Sequence, residues 1–226
     1  MIHKTKMFTP LFNKPKIKEA FLNYDPNYLI RELETILFPA SEVEVVRVVD
    51  EDVFEIKSPQ YESVKPLYIL KNFLSHKPKI DQKISLEIPS KKTIYDSLIN
   101  FPKRPYIWGG NTKEGVVELL EWIAPKKTLS SFDYNYYKLK GVDCSGLLYY
   151  VTNGNSIRNT SDMLLKYSEV KTLKSLDLIA WRGHVIIYLS EDLVIESRHP
   201  DGITRSKFSK RMKEIEKYEP KFFRFL

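Results

Sequence analysis

The sequence predicts an α+β protein in which an apolar helix bearing a cysteine packs on an antiparallel sheet. Cys144, the only cysteine, is followed by the apolar run 147–151 and then by Asn153 and Gly154. Glycine is the usual residue beyond a helix C-terminus, so this stretch indicates a short buried helix. Three apolar segments with short polar turns between them follow, which is typical of an antiparallel meander. They cover residues 176–181, 184–189 and 193–197.

Length and composition suit one or two soluble domains. The chain has 226 residues, of which 42% are hydrophobic and 13% aromatic. We expect a division into residues 1–92, an arm with a small β domain and a linker, and residues 93–226. No apolar run of about 18 residues predicts a membrane span, and a single cysteine excludes an internal disulfide. The first ten residues lack the features of a secretion signal. A cytoplasmic location is therefore the default expectation, with periplasmic or cell-wall access left open.

The positive charge does not by itself indicate nucleic acid. The formal net charge is +7, but the lysines are spread along the chain. The densest basic patch, 207–213, precedes glutamates at 214, 216 and 219 and is interpreted as a solvated face. Four scattered histidines give no zinc-type spacing, and no phosphate-binding glycine loop occurs. We therefore expect no metal, no cofactor and no nucleic-acid partner, and the sequence leaves the oligomeric state open.

The N-terminal third predicts a small β domain. Prolines and lysines over 1–27 suggest an irregular arm, and 28–37 fits either a helix or a strand. Three strands are then expected, joined by turns, over 43–49, 53–57 and 66–74. This layout resembles a bacterial SH3-like domain over about residues 30–90, with an unrelated β-rich accessory region as the alternative. Residues 77–92 are interpreted as the linker.

The middle of the chain predicts short helices around an aromatic-glycine turn. Thr93 is expected to cap a helix over 94–100, and Thr112 a second helix ending before Pro125. Between them, Tyr106-Ile107-Trp108-Gly109-Gly110 allows a tight turn or a close backbone approach to a ligand. An aromatic loop is expected over 126–140, and a further helix near 162–167.

Cys144 is the candidate nucleophile. Unpaired N–H groups and the positive dipole end at a helix start favour a thiolate over a thiol. A thiolate is the nucleophile of a cysteine hydrolase, and alkylation well below about pH 8 is expected of it. The alternative is an inert cysteine that acts as a small buried hydrophobe.

His184 and Glu196 are the candidate partners of the cysteine. His184 opens its predicted strand directly after Gly183, and Glu196 lies on the next strand. If the two strands pair through the turn 190–192, the side chains come close together at the end away from that turn. A base oriented by a third polar group is the general logic of a catalytic triad. Each residue could instead be an ordinary strand residue, and His199 competes with Glu196 for the third role, although a loop beside Pro-Asp-Gly usually faces water.

The motifs together resemble one enzyme family. Tyr106-Ile107-Trp108-Gly109-Gly110, Asp143-Cys144-Ser145-Gly146-Leu147 and Gly183-His184-Val185, in this order, are similar to the NlpC family of papain-like peptidoglycan cysteine peptidases over about residues 95–205. The resemblance implies cleavage of peptidoglycan stem peptides, typically between γ-D-glutamate and a diamino acid. It also implies a papain-like fold that follows an SH3-like domain in the chain.

Site roles carry over by position from this resemblance. Cys144 is implied as nucleophile, His184 as general base and Glu196 as third residue. The implied substrate-binding residues are Tyr106, Trp108, Asp143, Ser145 and Gly183. In members that require a free L-Ala, the carboxylate and hydroxyl of Asp143 and Ser145 would hold its ammonium group.

The sequence departs from the family pattern in several places. The third residue is usually His, Asn or Gln, Ile186 replaces a usual glycine, Ser175-Leu176 replaces a usual Pro-Gly, and residues 112–140 are inserted. Two alternatives remain open at this stage. One is an amidase or acyltransferase using the same nucleophile, and the other is a non-catalytic cell-wall binding protein.

Overall fold

The structure is a computed structural model that describes residues 2–22, 29–75, 87–125 and 128–226. Its contacts define two units, Met1–Ser85 with Ile107–Gly141 and Leu86–Tyr106 with Val142–Leu226. This division differs from the expected one at residue 92, because 107–141 belongs with the first unit. Leu119 and Leu139 of that segment are fully buried in the same apolar cluster as Leu33 and Phe73. Most of the expected linker, residues 77–86 of 77–92, lies outside the described residues.

The first unit is built on a seven-stranded antiparallel sheet with the order β3-β2-β6-β5-β4-β1-β7. Helix α1 covers Ile17–Leu22. The strands are Ile2–Thr5 (β1), Thr9–Phe12 (β2), Leu33–Leu37 (β3), Glu42–Val48 (β4), Val53–Lys57 (β5), Leu67–Leu70 (β6) and Leu74–Ser75 (β7).

The expected strands near 43–49, 53–57 and 66–74 are confirmed as β4, β5 and the β6–β7 region. The prediction of an irregular arm over 1–27 is wrong, because β1, β2 and α1 form there. Pro10 lies within β2, paired with Ile36, while Leu11 and Phe12 are fully buried. Pro10 thus interrupts the apolar pattern in the sequence, but the strand still pairs within the sheet. Of the segment predicted as a helix or a strand, Leu33–Leu37 form a strand, β3.

A buried asparagine of the segment 107–141 forms hydrogen bonds with the backbone of β3. The fully buried Asn111 donates from Nδ2 to the Ile36 carbonyl at 2.7 Å and accepts from the Ile36 N–H at 2.8 Å. Gly109 has φ +68°, and a Cβ there would lie 2.5 Å from the Leu33 carbonyl oxygen. The glycine of this aromatic-Gly-Gly turn is therefore explained by close packing on β3.

Two local predictions in this segment fail. Thr112 lies in a strand, and the expected helix shrinks to four residues. The aromatic loop expected over 126–140 contains a helix, whose Ser130–Asp133 capping box satisfies its first turn. The elements are Asn111–Thr112 (β8), Leu119–Trp122 (α3), Ser131–Tyr137 (α4) and Gly141–Val142 (β9), and β8 pairs with β9.

The second unit contains a six-stranded antiparallel sheet with the order β10-β15-β11-β12-β13-β14. Its central strands β11, β12 and β13 confirm the predicted meander. The strands are Ser168–Glu169 (β10), Leu178–Trp181 (β11), His184–Ser190 (β12), Leu193–Arg198 (β13), Gly202–Ser206 (β14) and Lys221–Arg224 (β15). The helices are Lys91–Ile99 (α2), Cys144–Val151 (α5), Thr160–Lys166 (α6) and Phe208–Ile215 (α7).

Helix α2 begins three residues before its predicted start. Ser90, rather than Thr93, is the N-cap, and its Oγ accepts from the Thr93 N–H at 3.1 Å. In the described parts of the chain, no helix combines the length and the hydropathy needed to cross a membrane.

Strand alternation gives the second sheet two covered faces. One face packs with α5, and the other packs with α7. The side chains on the α5 face include Leu178, Val185, Ile187 and Ile195, in the cluster that contains Leu147. Those on the α7 face include Ile179, Ile186, Tyr188 and Val194, in the cluster that contains Ile215. Consecutive residues of β12 therefore pack alternately against α5 and α7.

Candidate active site

Cys144 is the first residue of α5, as the sequence predicts. Asp143 is the N-cap, and its Oδ1 accepts from the Gly146 N–H at 2.6 Å. Helix α5 contacts β12 and β13. A backbone hydrogen bond joins Val185 to the Cys144 thiol. The sulfur therefore lies near Val185, the second residue of β12, which follows His184 in the chain.

The environment of Cys144 favours the thiol over the thiolate. Burial raises the pKa of Cys144 to about 12, and the adjacent Asp143 carboxylate raises it as well. The hydrogen bond from Val185 and the charge of Arg158 act in the opposite direction, but they are outweighed. The expectation of a favoured thiolate is therefore wrong for this state, because desolvation of a side chain only 6% exposed exceeds the effect of the helix start.

Asp143 and Ser145 are already bonded to a residue that the sequence analysis assigned no role. The buried Arg158 donates from Nη1 to Asp143 Oδ1 at 2.9 Å and from Nη2 to Oδ2 at 2.7 Å. Its Nη1 also lies 2.6 Å from Ser145 Oγ, which in turn lies 3.1 Å from Asp143 Oδ1. The groups predicted to hold a substrate ammonium thus face an internal guanidinium, and their role in binding stays a prediction.

His184 and Glu196 come together as predicted. His184 Nε2 lies 2.7 Å from Glu196 Oε2, and the glutamate side chain is 0% exposed. Burial pushes the pKa of Glu196 upward, but the hydrogen bonds and charges of His184 and Arg211 together hold it below its usual value. Because an ionised carboxylate can only accept, Nε2 donates to it. In the neutral imidazole, Nδ1 is then the basic nitrogen.

Glu196 also has two arginine neighbours. Arg211 from α7 donates from Nε to Oε1 at 2.6 Å and from Nη2 to Oε2 at 2.9 Å. Arg198 Nη1 lies 3.7 Å from Oε1. The interpretation of 207–213 as a solvated face is wrong at Arg211, whose side chain is 12% exposed. The signal was its helical spacing from Phe208 and Ile215, which sets it on the inward side of α7.

The candidate nucleophile and the candidate base are not joined. Within the described residues, no hydrogen bond or ion pair links His184 to Cys144. Alternation along β12 assigns His184 and Glu196 to the α7 face, whereas Val185 lies on the α5 face with Cys144. The thiol therefore lies toward one face of the sheet and the imidazole toward the other. Gly183, just before His184, has φ +92° and nothing within 4 Å of where a Cβ would lie.

A cavity of about 430 Å³ opens beside His184. Aromatic and charged side chains line it: Tyr106, Trp181, His184, Arg198, His199, Arg211, Glu214, Lys217 and Tyr218. The Trp181 and Tyr218 rings stack at 5.3 Å, and Tyr106 meets the His199 ring edge-on at 6.0 Å. Cys144 is not one of the lining residues.

The remaining predicted residues divide between the units. His199 lies at the cavity, but it is Glu196 that contacts His184. Trp108 belongs to the first unit, where the Arg31 guanidinium carbon lies 4.6 Å from its ring centroid. Gly183 forms the β11–β12 turn. Among the described residues, no group of three His, Cys, Asp or Glu side chains could hold a metal ion.

Comparison with family models decides the identity of the fold. The NlpC/P60 family model matches residues 103–218, just over half of the chain. The chain belongs to the NlpC/P60 family. The match begins before the segment 107–141 and ends after α7, so the NlpC/P60 region includes parts of both units. No curated protein matches the chain.

Solved NlpC/P60 structures give distant similarities. An NlpC/P60 family protein from Bacillus cereus is 17% identical with a TM-score of 0.45, covering 100% of this chain and 63% of that one. RipB, a peptidoglycan hydrolase from Mycobacterium tuberculosis, is 23% identical with a TM-score of 0.41, covering 59% of this chain and 63% of that one. RipD from the same organism, a non-catalytic NlpC/p60 domain protein with an adaptation to peptidoglycan-binding function, is 19% identical with a TM-score of 0.43, covering 64% and 99%. The chain spans less than two thirds of the Bacillus cereus protein, and NlpC/P60 proteins include both hydrolases and non-catalytic members.

Proposed function

We propose that this chain is a cysteine peptidase that hydrolyses peptidoglycan stem peptides at the bond between γ-D-glutamate and a diamino acid. One observation carries the proposal. Cys144 at the start of α5 is hydrogen-bonded to the backbone of Val185, and the preceding residue of the chain is a histidine whose Nε2 is held by a buried carboxylate. A nucleophile, a neighbouring base and a group that orients the base are the parts that covalent acyl transfer requires.

The proposed reaction proceeds in two halves. His184 Nδ1 takes the thiol proton, and the sulfur attacks the peptide carbonyl carbon. Backbone N–H groups at the start of α5 stabilise the oxyanion, which is worth about 3–4 kcal/mol per donor in other hydrolases. The C–N bond then breaks, the imidazolium returns its proton to the departing amine, and a thioester remains. Water, deprotonated by His184, hydrolyses the thioester and releases the carboxylic acid and the thiol.

The thiol form of Cys144 sets a condition on this mechanism. With its pKa raised to about 12, the sulfur loses its proton only when the imidazole reaches it. In this proposal, substrate binding brings Nδ1 to the thiol while Nε2 stays on Glu196.

The proposal is tested with L-Ala-γ-D-Glu-diaminopimelate, supplied both free and N-blocked. Wild-type protein is expected to release the L-Ala-γ-D-Glu dipeptide, detected by mass spectrometry, and Cys144→Ala to release none. Because Asp143 and Ser145 are bonded to Arg158, the blocked peptide is expected to be cleaved at a comparable rate. Products cut at another amide, or transferred to an added amine, would indicate the amidase or acyltransferase alternative. Equal turnover by wild type and Cys144→Ala would refute the nucleophile.

A second candidate function, non-catalytic binding of cell-wall peptides, has its own support. Cys144 is buried with a raised pKa, and the cavity reaches His184 without reaching the sulfur. Titration calorimetry with the same peptide separates the two functions. A binding protein would hold the peptide intact with equal affinity in wild type and Cys144→Ala.

Three coarser assignments accompany the proposal. We propose that α5 on β12 and β13 is the papain-like arrangement, supported by the cysteine at its first residue. The β4–β5–β6 meander supports an SH3-like origin for the first unit, whose sheet is larger, with seven strands. A cytoplasmic location is also a proposal, for which cell fractionation with an antibody to this chain is the direct measurement.

A further inference from the structure

Glu196 puts a full negative charge where the family resemblance implies a neutral or weakly basic side chain. The glutamate side chain is 0% exposed, so its carboxylate cannot be solvated by bulk water. A buried carboxylate without a partner takes up a proton rather than stay charged. A protonated Glu196 would no longer keep the proton of His184 on Nε2, because a carboxylic acid can donate to Nε2 and reverse the tautomer.

Arg211 supplies the positive charge that pairs with this buried carboxylate, and it does so in a fixed geometry. Its Nε and Nη2 reach the two carboxylate oxygens at 2.6 Å and 2.9 Å, a two-point grip that fixes the plane of the carboxylate. Oε2 accepts from Arg211 Nη2 and from His184 Nε2, so one oxygen joins the guanidinium to the imidazole. Arg198, at 3.7 Å from Oε1, is too distant for such a hydrogen bond.

The helix that carries Arg211 is anchored on the sheet. Ile215 is fully buried in the cluster with Ile186 and Tyr188, and Phe208 and Met212 pack against that cluster. The charged and titratable groups that face this carboxylate and imidazole are His184 of β12, Arg198 of β13, Arg211 and Glu214 of α7, and, around the cavity, Tyr106, His199, Lys217 and Tyr218.

We infer that Arg211 is a positioning residue that acts on His184 through Glu196. It keeps Glu196 ionised and fixed, so that Nε2–H is the donor and Nδ1 is the basic nitrogen offered to the thiol. Arg211 and Glu196 thus work as a unit that replaces the neutral third residue of related peptidases. The catalytic consequence rests on the proposed peptidase function, whereas the effect on the imidazole does not.

Four variants test this inference: Arg211→Met, Glu196→Gln, the double variant of both, and Lys213→Met as the matched control. Met keeps much of the length of Arg without its charge, and Lys213 is an exposed cation on the same helix. Arg211→Met is expected to lower kcat at least tenfold with KM little changed, within the roughly 10⁴-fold that loss of a triad carboxylate costs. The double variant, with neutral Gln beside His184, is expected to recover kcat to within about threefold of wild type, as coupled sites do. Lys213→Met is expected to match wild type.

The pH profile reports the charge of Glu196 separately from folding. Without Arg211, the pKa of Glu196 rises, because the interactions that opposed its desolvation are reduced. The acid limb of kcat/KM is then expected to move upward by about one pH unit in Arg211→Met. The double variant has no carboxylate and is expected to lack this shift. A folded Arg211→Met with wild-type kcat and pH profile would overturn the inference, as would a double variant no better than the poorer single one.

Nitrogen-15 NMR of the His184 ring provides a readout that does not depend on cleavage. Wild type is expected to show the Nε2–H tautomer, and Arg211→Met a mixture or the other tautomer. If wild type shows the expected tautomer but cleaves no peptide, the proposed function fails and the positioning role stands. If wild type cleaves peptide while the ring signals of Arg211→Met are unchanged, the positioning role fails and the proposed function stands.

Discussion

At the scale of single residues, the charge beside Cys144 is set by the Asp143–Arg158 pair. Both side chains are nearly buried, at 11% and 6% exposure. The carboxylate raises the pKa of the neighbouring thiol and the guanidinium lowers it, with the carboxylate having the larger effect. The sequence motif around Cys144 predicted the helix start, since it depends on neighbours in the chain. Arg158, 14 positions away along the sequence, could be assigned only from the fold.

Asp143→Asn is expected to lower the pKa of Cys144 and to speed its alkylation. The substitution removes the charge that raises the thiol pKa and leaves Arg158, which lowers it. Iodoacetamide labelling between about pH 7 and pH 10, followed by mass spectrometry, measures the shift. Breaking this buried ion pair is expected to cost about 3–5 kcal/mol of stability.

Ser145→Ala is the control for this prediction. It removes an uncharged contact of Arg158 and should leave the pH dependence of labelling unchanged. Slower labelling in Asp143→Asn than in wild type, measured on folded protein, would contradict the electrostatic account.

At the scale of secondary-structure elements, α7 links the sheet to the candidate site. Apolar periodicity predicted the strands β11 to β13 and the helix α5, because each pattern is local. The N-terminal strands and α4 were missed, since prolines and aromatic residues obscured their periodicity. Arg211 was missed for a different reason. It acts on Glu196, 15 residues earlier, and only the packing of α7 on the sheet brings the two together.

Ile215→Ala is expected to destabilise the protein by about 2–5 kcal/mol, the usual cost of emptying a fully buried aliphatic site. Ile215 is 0% exposed and anchors α7. Urea unfolding monitored by tryptophan fluorescence measures the loss. Lys213→Ala, exposed on the same helix, is expected to change stability by less than about 0.5 kcal/mol. Equal stabilities for the two variants would show that α7 is only loosely held.

At the scale of the whole molecule, the buried site makes stability depend on acidity. The folded pKa of Glu196 lies below its usual value, so its ionised form favours folding. This contribution is complete above the unfolded value of about 4.3 and is lost as pH falls through the folded pKa.

The stability advantage of wild type over the Glu196→Gln and Arg211→Met double variant is therefore expected to shrink as pH falls below about 4.3. Thermal unfolding from about pH 3 to pH 7 measures it. An advantage independent of pH in this range would show that Glu196 is not held ionised in the fold.

The two units of this chain are interleaved along the sequence. Residues 107–141 belong to the first unit, although the second unit has already begun at residue 86. Neither unit corresponds to one uninterrupted stretch of coding sequence. A single cut in the chain therefore cannot separate the second unit from the first without also removing a segment that completes the core of the first unit. A shortened version that keeps only the second unit needs a new connection from residue 106 to residue 142.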